Sequence, residues 1–187
     1  MNELALLGSL QIVHLLALMS PGPNILIVTQ TAMNQSRRSG VMVATGLAVG
    51  ALLWSSAPLF GLGTLFAKWA WLYSGLAILG SVYLLYLGVT IFRFAAQPLA
   101  ETELATIHSD LDAFRVGLLT SLTNPKVILF FASLFTAVLA PTLPLWIRIA
   151  SVGIVVADSL LWHTTLALFF STQIVQKSSQ GAKSWLD

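Results

Sequence analysis

Cysteine is absent from the 187-residue chain, and charged residues are nearly as scarce. Without cysteine, the chain has no disulfides, thiolate metal sites, Fe–S clusters or cysteine nucleophiles, and its redox compartment stays undetermined. Charged residues make up 9% of the chain, against roughly a quarter in a soluble protein. Nine basic and seven acidic residues leave a net charge of +2, which is too sparse for a nucleic-acid surface. We therefore expect no nucleic-acid partner.

Apolar residues are the abundant class, at 57% of the chain with a mean hydropathy of +0.86. So few charges cannot cover a water-soluble surface, and the excess apolar side chains must face lipid. Helices satisfy their own backbone hydrogen bonds in lipid. The composition therefore predicts an all-α integral membrane protein. Residues 1–187 would form one transmembrane domain, and the lipid bilayer would be one of its partners.

Five stretches are long enough for helices that cross the roughly 30 Å of hydrocarbon. Their residues are 4–33, 41–67, 69–95, 116–140 and 145–170. We divide the chain into a first three-span half (1–95), a cytoplasmic polar loop (96–115) and a second half (116–187). The first stretch is interpreted as a retained span, because residues 1–3 carry an acid and no base, unlike a signal peptide.

Basic residues are distributed unequally between the two ends of these spans. Six lie on the side of loop 34–40 and two on the other, so the positive-inside rule predicts that the six face the cytoplasm. The N-terminus would then be periplasmic and the C-terminus of this chain cytoplasmic. The six are Arg37, Arg38, Arg93, Arg115, Lys177 and Lys183; the two are Lys68 and Arg148.

Two spans contain a backbone break, Ser-Pro-Gly-Pro-Asn at 20–24 and Thr-Asn-Pro-Lys at 123–126. Proline removes a hydrogen-bond donor, and a carbonyl freed in lipid must find a partner or line a wet cavity. Each break lies in the first span of its half. Because the first half has three spans, the second broken span would enter the membrane from the opposite side. This pattern is typical of inverted-topology transporters. The alternative is a chance match, since Pro and Gly are common in membrane helices.

Two charged residues, Lys126 and Asp158, lie deep within their spans. A lone charge there costs at least about 2.5–3.5 kcal/mol, so we expect the two to form an ion pair. The alternative for Lys126 is that it extends to the cytoplasmic interface. His14 and His163 also lie within spans, either as packing residues or as proton carriers.

The two breaks resemble sequence signatures of the LysE/RhtB family of bacterial amino-acid exporters. Residues 13–31, which contain Pro-Gly-Pro-Asn, are similar to the first signature, and Asn-Pro-Lys at 124–126 is similar to the second. Asp158 and Trp162 also follow the family pattern. The resemblance is closest to the threonine/homoserine exporters.

The resemblance implies a six-span secondary transporter of the bacterial inner membrane, which exports a small amino acid by proton antiport. Its implied partners are that substrate and protons. No cofactor or metal is implied, and a homodimer is left open. The family has a further span after residues like 183–187, so we expect the second half to be truncated, either as a fragment or with a partner supplying the helix.

The predicted site combines the two breaks with nearby polar residues. Freed N–H groups and Lys126 suit a substrate carboxylate, while carbonyls and the two Asn side chains suit its ammonium. For proton coupling we expect Asp158, with His14 or His163 as the alternative. The residues expected to bind or translocate substrate are Pro21, Gly22, Pro23, Asn24, Gln30, Asn124, Pro125, Lys126 and Trp162.

Other function classes find less support. An intramembrane enzyme would need His-Glu-x-x-His, a second membrane aspartate or Gly-x-Ser-x-Gly, and the sequence has none of these. We therefore predict no enzymatic activity. A passive channel, a non-transporting membrane protein and an exporter of another metabolite stay open, although the lack of Cys disfavours a soft metal ion as cargo.

Overall fold

The computed structural model describes residues 3–57, 107–137 and 143–171, with the isolated positions Gly75, Ile78 and Val82. All regular structure in these residues is helical, which confirms the all-α prediction. The predicted span 69–95, apart from the three isolated positions, and the basic residues of the tail lie outside the described residues. The helices are α1 (Glu3–Met19), α2 (Pro23–Asn34), α3 (Arg37–Ser56), α4 (Asp110–Thr123), α5 (Pro125–Ala137) and α6 (Leu145–Phe170).

The first predicted span is two helices, α1 and α2, that meet at an angle of 57°. Pro21 and Pro23 cannot donate to the preceding turn, so α1 ends at Met19. Gly22 is fully extended (φ 176°, ψ −179°), and α2 then begins at Pro23, a position that suits the fixed φ of proline. The predicted break is confirmed.

The span predicted at 116–140 is broken in the same way. Asn124 is extended (φ −69°, ψ 114°), because the residue before a proline avoids the helical region. It separates α4 from α5, which begins at Pro125. The second predicted break is therefore also confirmed.

Serine caps set the starts of α3 and α4. The Ser36 hydroxyl accepts from the Ser39 N–H at 3.0 Å, and the Ser109 hydroxyl accepts from the Asp112 N–H at 3.1 Å. Such caps satisfy otherwise unbonded N–H groups. As a result α4 begins at Asp110, inside the polar segment 96–115, for which the sequence predicts a loop and leaves a short amphipathic helix open.

Helices α3 and α4 pack backbone to backbone. A Cβ on Gly46 would collide with the Phe114 carbonyl, and a Cβ on Gly117 would collide with the Val43 carbonyl. Only glycine permits this approach, as is common where membrane helices pack closely. At one end of the contact Arg38 pairs with Asp110. Contacts follow the same order along both helices, so α3 and α4 are parallel.

Two apolar clusters give the direction of the remaining helices. One joins the starts of α1 and α6 to the ends of α3 and the first turns of α5; we call this the Leu10 end. The other joins the ends of α2 and α6 to the starts of α3 and α4; we call it the Arg38 end. The Leu10 cluster is Leu6, Leu10, Ala51, Phe130, Phe131, Ile147 and Val155, and the Arg38 cluster is Val28, Ala32, Val43, Leu47, Ala113 and Ala167.

The two broken helices are consequently antiparallel. The α1–α2 pair runs from the Leu10 end to the Arg38 end, and α4–α5 runs back. Gly40 supports this direction, because it lies at the start of α3 beside Ala32 near the end of α2 and Ala167 near the end of α6. An inverted relation between the breaks is what two inverted halves require.

The surface is apolar while the interior holds polar groups, which is the distribution of a protein in lipid. Among the described residues, α3 and α6 are each long and apolar enough to cross a membrane, and the bent α1–α2 pair gives a third candidate. With 26 residues, α6 is about 39 Å long. The exposed apolar side chains include Leu4, Ile12, Leu16, Leu53, Leu119, Ile149, Leu161 and Phe169.

Candidate functional site

The two breaks are in direct contact at the centre of the bundle. Asn124 Nδ2 donates to Asn24 Oδ1 at 2.8 Å. The orientation of the Asn124 amide follows from its second contact, because its Oδ1 accepts from the backbone N–H of Lys126 at 3.0 Å. Asn124 is only 4% exposed, so both bonds are shielded. The two breaks therefore meet through this pair of side chains.

Lys126 links the breaks a second time. Its Nζ donates to the backbone carbonyl of Ser20 at 2.6 Å, and the side chain passes over Gly22. The ammonium starts from the first turn of α5, the unfavourable end of a helix dipole for a cation, and reaches the favourable C-terminal end of α1. The expected ion pair with Asp158 is therefore wrong: within the described residues, the two side chains have other partners.

Asp158 is held by two polar side chains of α1. Gln11 Nε2 donates to Asp158 Oδ1 at 2.6 Å, and His14 Nδ1 lies 3.1 Å from Oδ2. The carboxylate is 8% exposed and His14 is 3% exposed. The His14 ring also packs on Phe130, with 5.6 Å between ring centroids. Each carboxylate oxygen thus has a donor, which offsets the cost of burying the charge.

His163, the other buried histidine, bonds within its own helix. Its Nδ1 lies 2.8 Å from the Ser159 carbonyl oxygen, and a carbonyl can only accept, so Nδ1 carries the proton. The side chain is 1% exposed.

A cavity lies where the breaks, His14 and His163 meet. About 50 Å³ of it is open to the centre of a water molecule, which corresponds to a few waters. All six helices in the described residues contribute to its wall. The wall consists of His14, Ala17, Leu18, Ser20, Gly22, Asn24, Ile25, Leu47, Ala51, Ser121, Asn124, Lys126, Val127, Phe130, Phe131, Ser159 and His163.

Six of the twelve expected site residues line this cavity, and six do not. Pro21, Pro23 and Pro125 shape the backbone of the breaks without appearing in the wall. Gln30 and Trp162 also lie outside the wall, so their part in translocation stays a prediction. Asp158 reaches the cavity through His14. Those that do line it are Gly22, Asn24, Asn124, Lys126, His14 and His163.

Sequence reasoning missed Gln11, Ser121 and Ser159, and it placed Ser20 in the first break without giving its side chain a role. Gln11 could have been found, because it lies three residues before His14 and therefore shares its helix face. Ser20, Ser121 and Ser159 gave no such signal, since serine is common wherever membrane helices pack closely.

The site has opposite electrical character on its two sides. The N-terminal ends of α2 and α5 carry partial positive charge, and the C-terminal ends of α1 and α4 carry partial negative charge. Proline also cannot donate to the carbonyl four residues earlier. Because of Pro21, Pro23 and Pro125, three backbone carbonyls have no helical N–H donor. These are the carbonyls of Ala17, Met19 and Ser121. The site can therefore accommodate one anionic and one cationic group close together.

Comparisons with known proteins agree with this architecture. The family model of the LysE type translocator matches residues 15–187. The threonine efflux protein of Escherichia coli (strain K12) is 32% identical over 98% of this chain and 91% of its own length. That of Salmonella typhi is 31% identical with the same coverage. The leucine efflux protein of Salmonella choleraesuis is 32% identical over 66% of this chain and 58% of its own length.

No solved structure matches the chain. The family match covers nearly the whole sequence and includes both breaks, Asp158 and every wall residue except His14. The chain therefore belongs to the LysE family of bacterial translocators and is a multi-pass membrane protein.

Proposed function

We propose that the chain exports a small neutral amino acid, of the threonine or homoserine kind, from the cytoplasm in exchange for protons. One observation carries the proposal: two broken antiparallel helices are joined through side chains beside a cavity whose mainly apolar wall holds several polar groups. Two relatives with 91% of their own length covered are named as threonine efflux proteins. Broken helices of this kind form substrate sites in transporters.

The charges of the cavity suit a zwitterion. Helix N-termini attract a carboxylate, and freed carbonyls attract an ammonium. Asn24 and Asn124 already bond to each other, so they have limited capacity left for a substrate. Ser121 and Ser159 add hydroxyl groups to the wall, which favours a substrate with a hydroxyl of its own.

Asp158 and His14 support the exchange of protons. The carboxylate does not line the cavity, but His14 contacts both the cavity and Asp158. Imidazole can accept a proton on one nitrogen and release a proton from the other. His14 can therefore transfer protons between Asp158 and the cavity. Among the described residues, the other ionisable groups at the cavity are His163 and Lys126, which have their own partners.

A larger apolar amino acid such as leucine is the second candidate substrate. Much of the cavity wall is apolar, and one matched relative is named as a leucine efflux protein. The apolar wall residues are Ala17, Leu18, Ile25, Leu47, Ala51, Val127, Phe130 and Phe131.

Transport by proteoliposomes tests the proposal. Labelled threonine should accumulate faster when the vesicle interior is acidic, because an antiporter couples the exit of protons to the entry of threonine. A protonophore should abolish the difference, and liposomes without protein are the control. Competition by excess leucine ranks the two candidate substrates. Equal uptake with and without the gradient would contradict proton antiport, and uptake of neither amino acid would contradict export of such substrates.

We further propose that the chain lies in the bacterial inner membrane with the Arg38 end in the cytoplasm. Arg37, Arg38 and Arg115 lie in the described residues at or near this end, and Arg148 lies in the first turn of α6 at the Leu10 end. The positive-inside rule then favours the Arg38 end as cytoplasmic.

A further inference from the structure

Ser20 presents two oxygens at the cavity, and only one is in use. Its carbonyl accepts from Lys126 Nζ at 2.6 Å. Its hydroxyl is buried, in a residue 2% exposed, and has no hydrogen-bond partner among the described residues. A buried hydroxyl without a partner is costly. The position therefore favours an occupant that can bond to both oxygens.

The surroundings of Ser20 select for a cation. Ser20 follows the last residue of α1, where the helix dipole is negative. The carbonyls of Ala17 and Met19 have lost their helical donors to Pro21 and Pro23. Lys126 already shows that an ammonium group fits here. The α-ammonium of an amino acid is the same chemical group, with three N–H donors and one positive charge.

The geometry points to Ser20 as the subsite for the substrate's α-ammonium, with Lys126 as a tethered occupant that the substrate displaces. The inference rests on the proposed function and specifies how the site recognises its substrate. Once displaced, the Lys126 ammonium pairs with the incoming carboxylate. The total charge of the site is the same before and after binding, and no charge is left without a partner.

This exchange requires both charged groups of the substrate. A ligand with an ammonium but no carboxylate would displace Lys126 and leave two cations together. A ligand with a carboxylate but no ammonium would draw Lys126 away and leave the Ser20 carbonyl without a donor. Leaving a buried polar or charged group unpaired is what gives binding sites their strongest discrimination.

Binding to the purified full chain tests the inference with three probes: threonine, its amino alcohol threoninol, and the hydroxy acid 2,3-dihydroxybutyrate. The wild type should bind threonine at least roughly tenfold more tightly than either analogue, as expected for a charge-assisted hydrogen bond. Lys126→Met empties the subsite, so the variant should bind threoninol about tenfold more tightly than the wild type does. Arg37→Met removes a cation from an exposed position and should change nothing.

The outcomes separate this inference from the proposed function. If the wild type binds threonine but Lys126→Met gains no affinity for threoninol, Lys126 is not a displaceable occupant. If Lys126→Met does not fold, binding of the hydroxy acid to the wild type tests the inference. Binding as tight as that of threonine would show that Lys126 acts only as a carboxylate anchor, and weak binding would support displacement. If the wild type binds neither threonine nor leucine, the proposed function itself fails.

Discussion

The Asn124 side chain donates a 2.8 Å hydrogen bond to the side chain of Asn24, which joins the break of one broken helix to the break of the other. The same Asn124 accepts from the Lys126 N–H through its Oδ1. One residue thus caps α5 and connects α5 to α2. The two roles use different atoms and can be separated by substitution.

Aspartate at the two asparagine positions should have unequal effects. Asn24→Asp keeps the accepting oxygen, so the bond between the breaks survives. Asn124→Asp keeps the cap on Lys126 but loses the donor, and two oxygens then face each other. We expect Asn124→Asp to lower the free energy of unfolding by about 1–3 kcal/mol, measured by thermal unfolding in detergent at neutral pH. Equal losses in both variants would contradict this assignment of donor and acceptor.

A methyl group at Gly117 should disrupt the contact between α3 and α4. Gly117→Ala forces a Cβ into the Val43 carbonyl, and overpacking typically costs about 1–3 kcal/mol. Gly153→Ala is the matched control, because nothing lies within 4 Å of that position. The control should be neutral, or stabilising by up to about 1 kcal/mol. Melting temperatures of the two variants check the prediction, which is wrong if they shift equally.

Asp158→Asn should uncouple transport from the proton gradient. Asparagine keeps the size of the side chain and an oxygen for Gln11 or His14, but it cannot take up and release a proton. Threonine uptake by proteoliposomes should therefore become independent of the pH gradient. Glu3→Gln makes the same chemical change at an exposed position and should keep the wild-type response. If Asp158→Asn still responds to the gradient, a residue other than Asp158 couples transport to protons.

Thiol labelling in intact cells should give the same result at Gln35 and His108. Both positions are exposed and lie beside the starts of α3 and α4 at the Arg38 end. The native chain has no cysteine, so the background is low. We expect Gln35→Cys and His108→Cys to resist an impermeant reagent, and Glu3→Cys at the opposite end to react. The reverse pattern would invert the orientation, and different results at Gln35 and His108 would contradict the parallel arrangement of α3 and α4.

The breaks were predictable from sequence, whereas the partners of the buried charges were not. The missing N–H of Pro21, Pro23 and Pro125 is a local property, so it fixes where the helices end regardless of packing. The partner of Lys126 depends on how α1, α5 and α6 are rotated about their axes. Depth along a span does not specify that rotation, which is why the expected pair with Asp158 was wrong.

The closeness of Gly46 and Gly117 to the facing backbone has a mechanical consequence. Helices α3 and α4 are far apart in the sequence, yet no side chain lies between their backbones at these positions to absorb sliding. The two helices must then move as one rigid unit. Among the described helices, the α1–α2 pair can shift against this unit along two contacts between side chains and the breaks, Asn124 with Asn24 and Lys126 with the Ser20 carbonyl, which can break and remake.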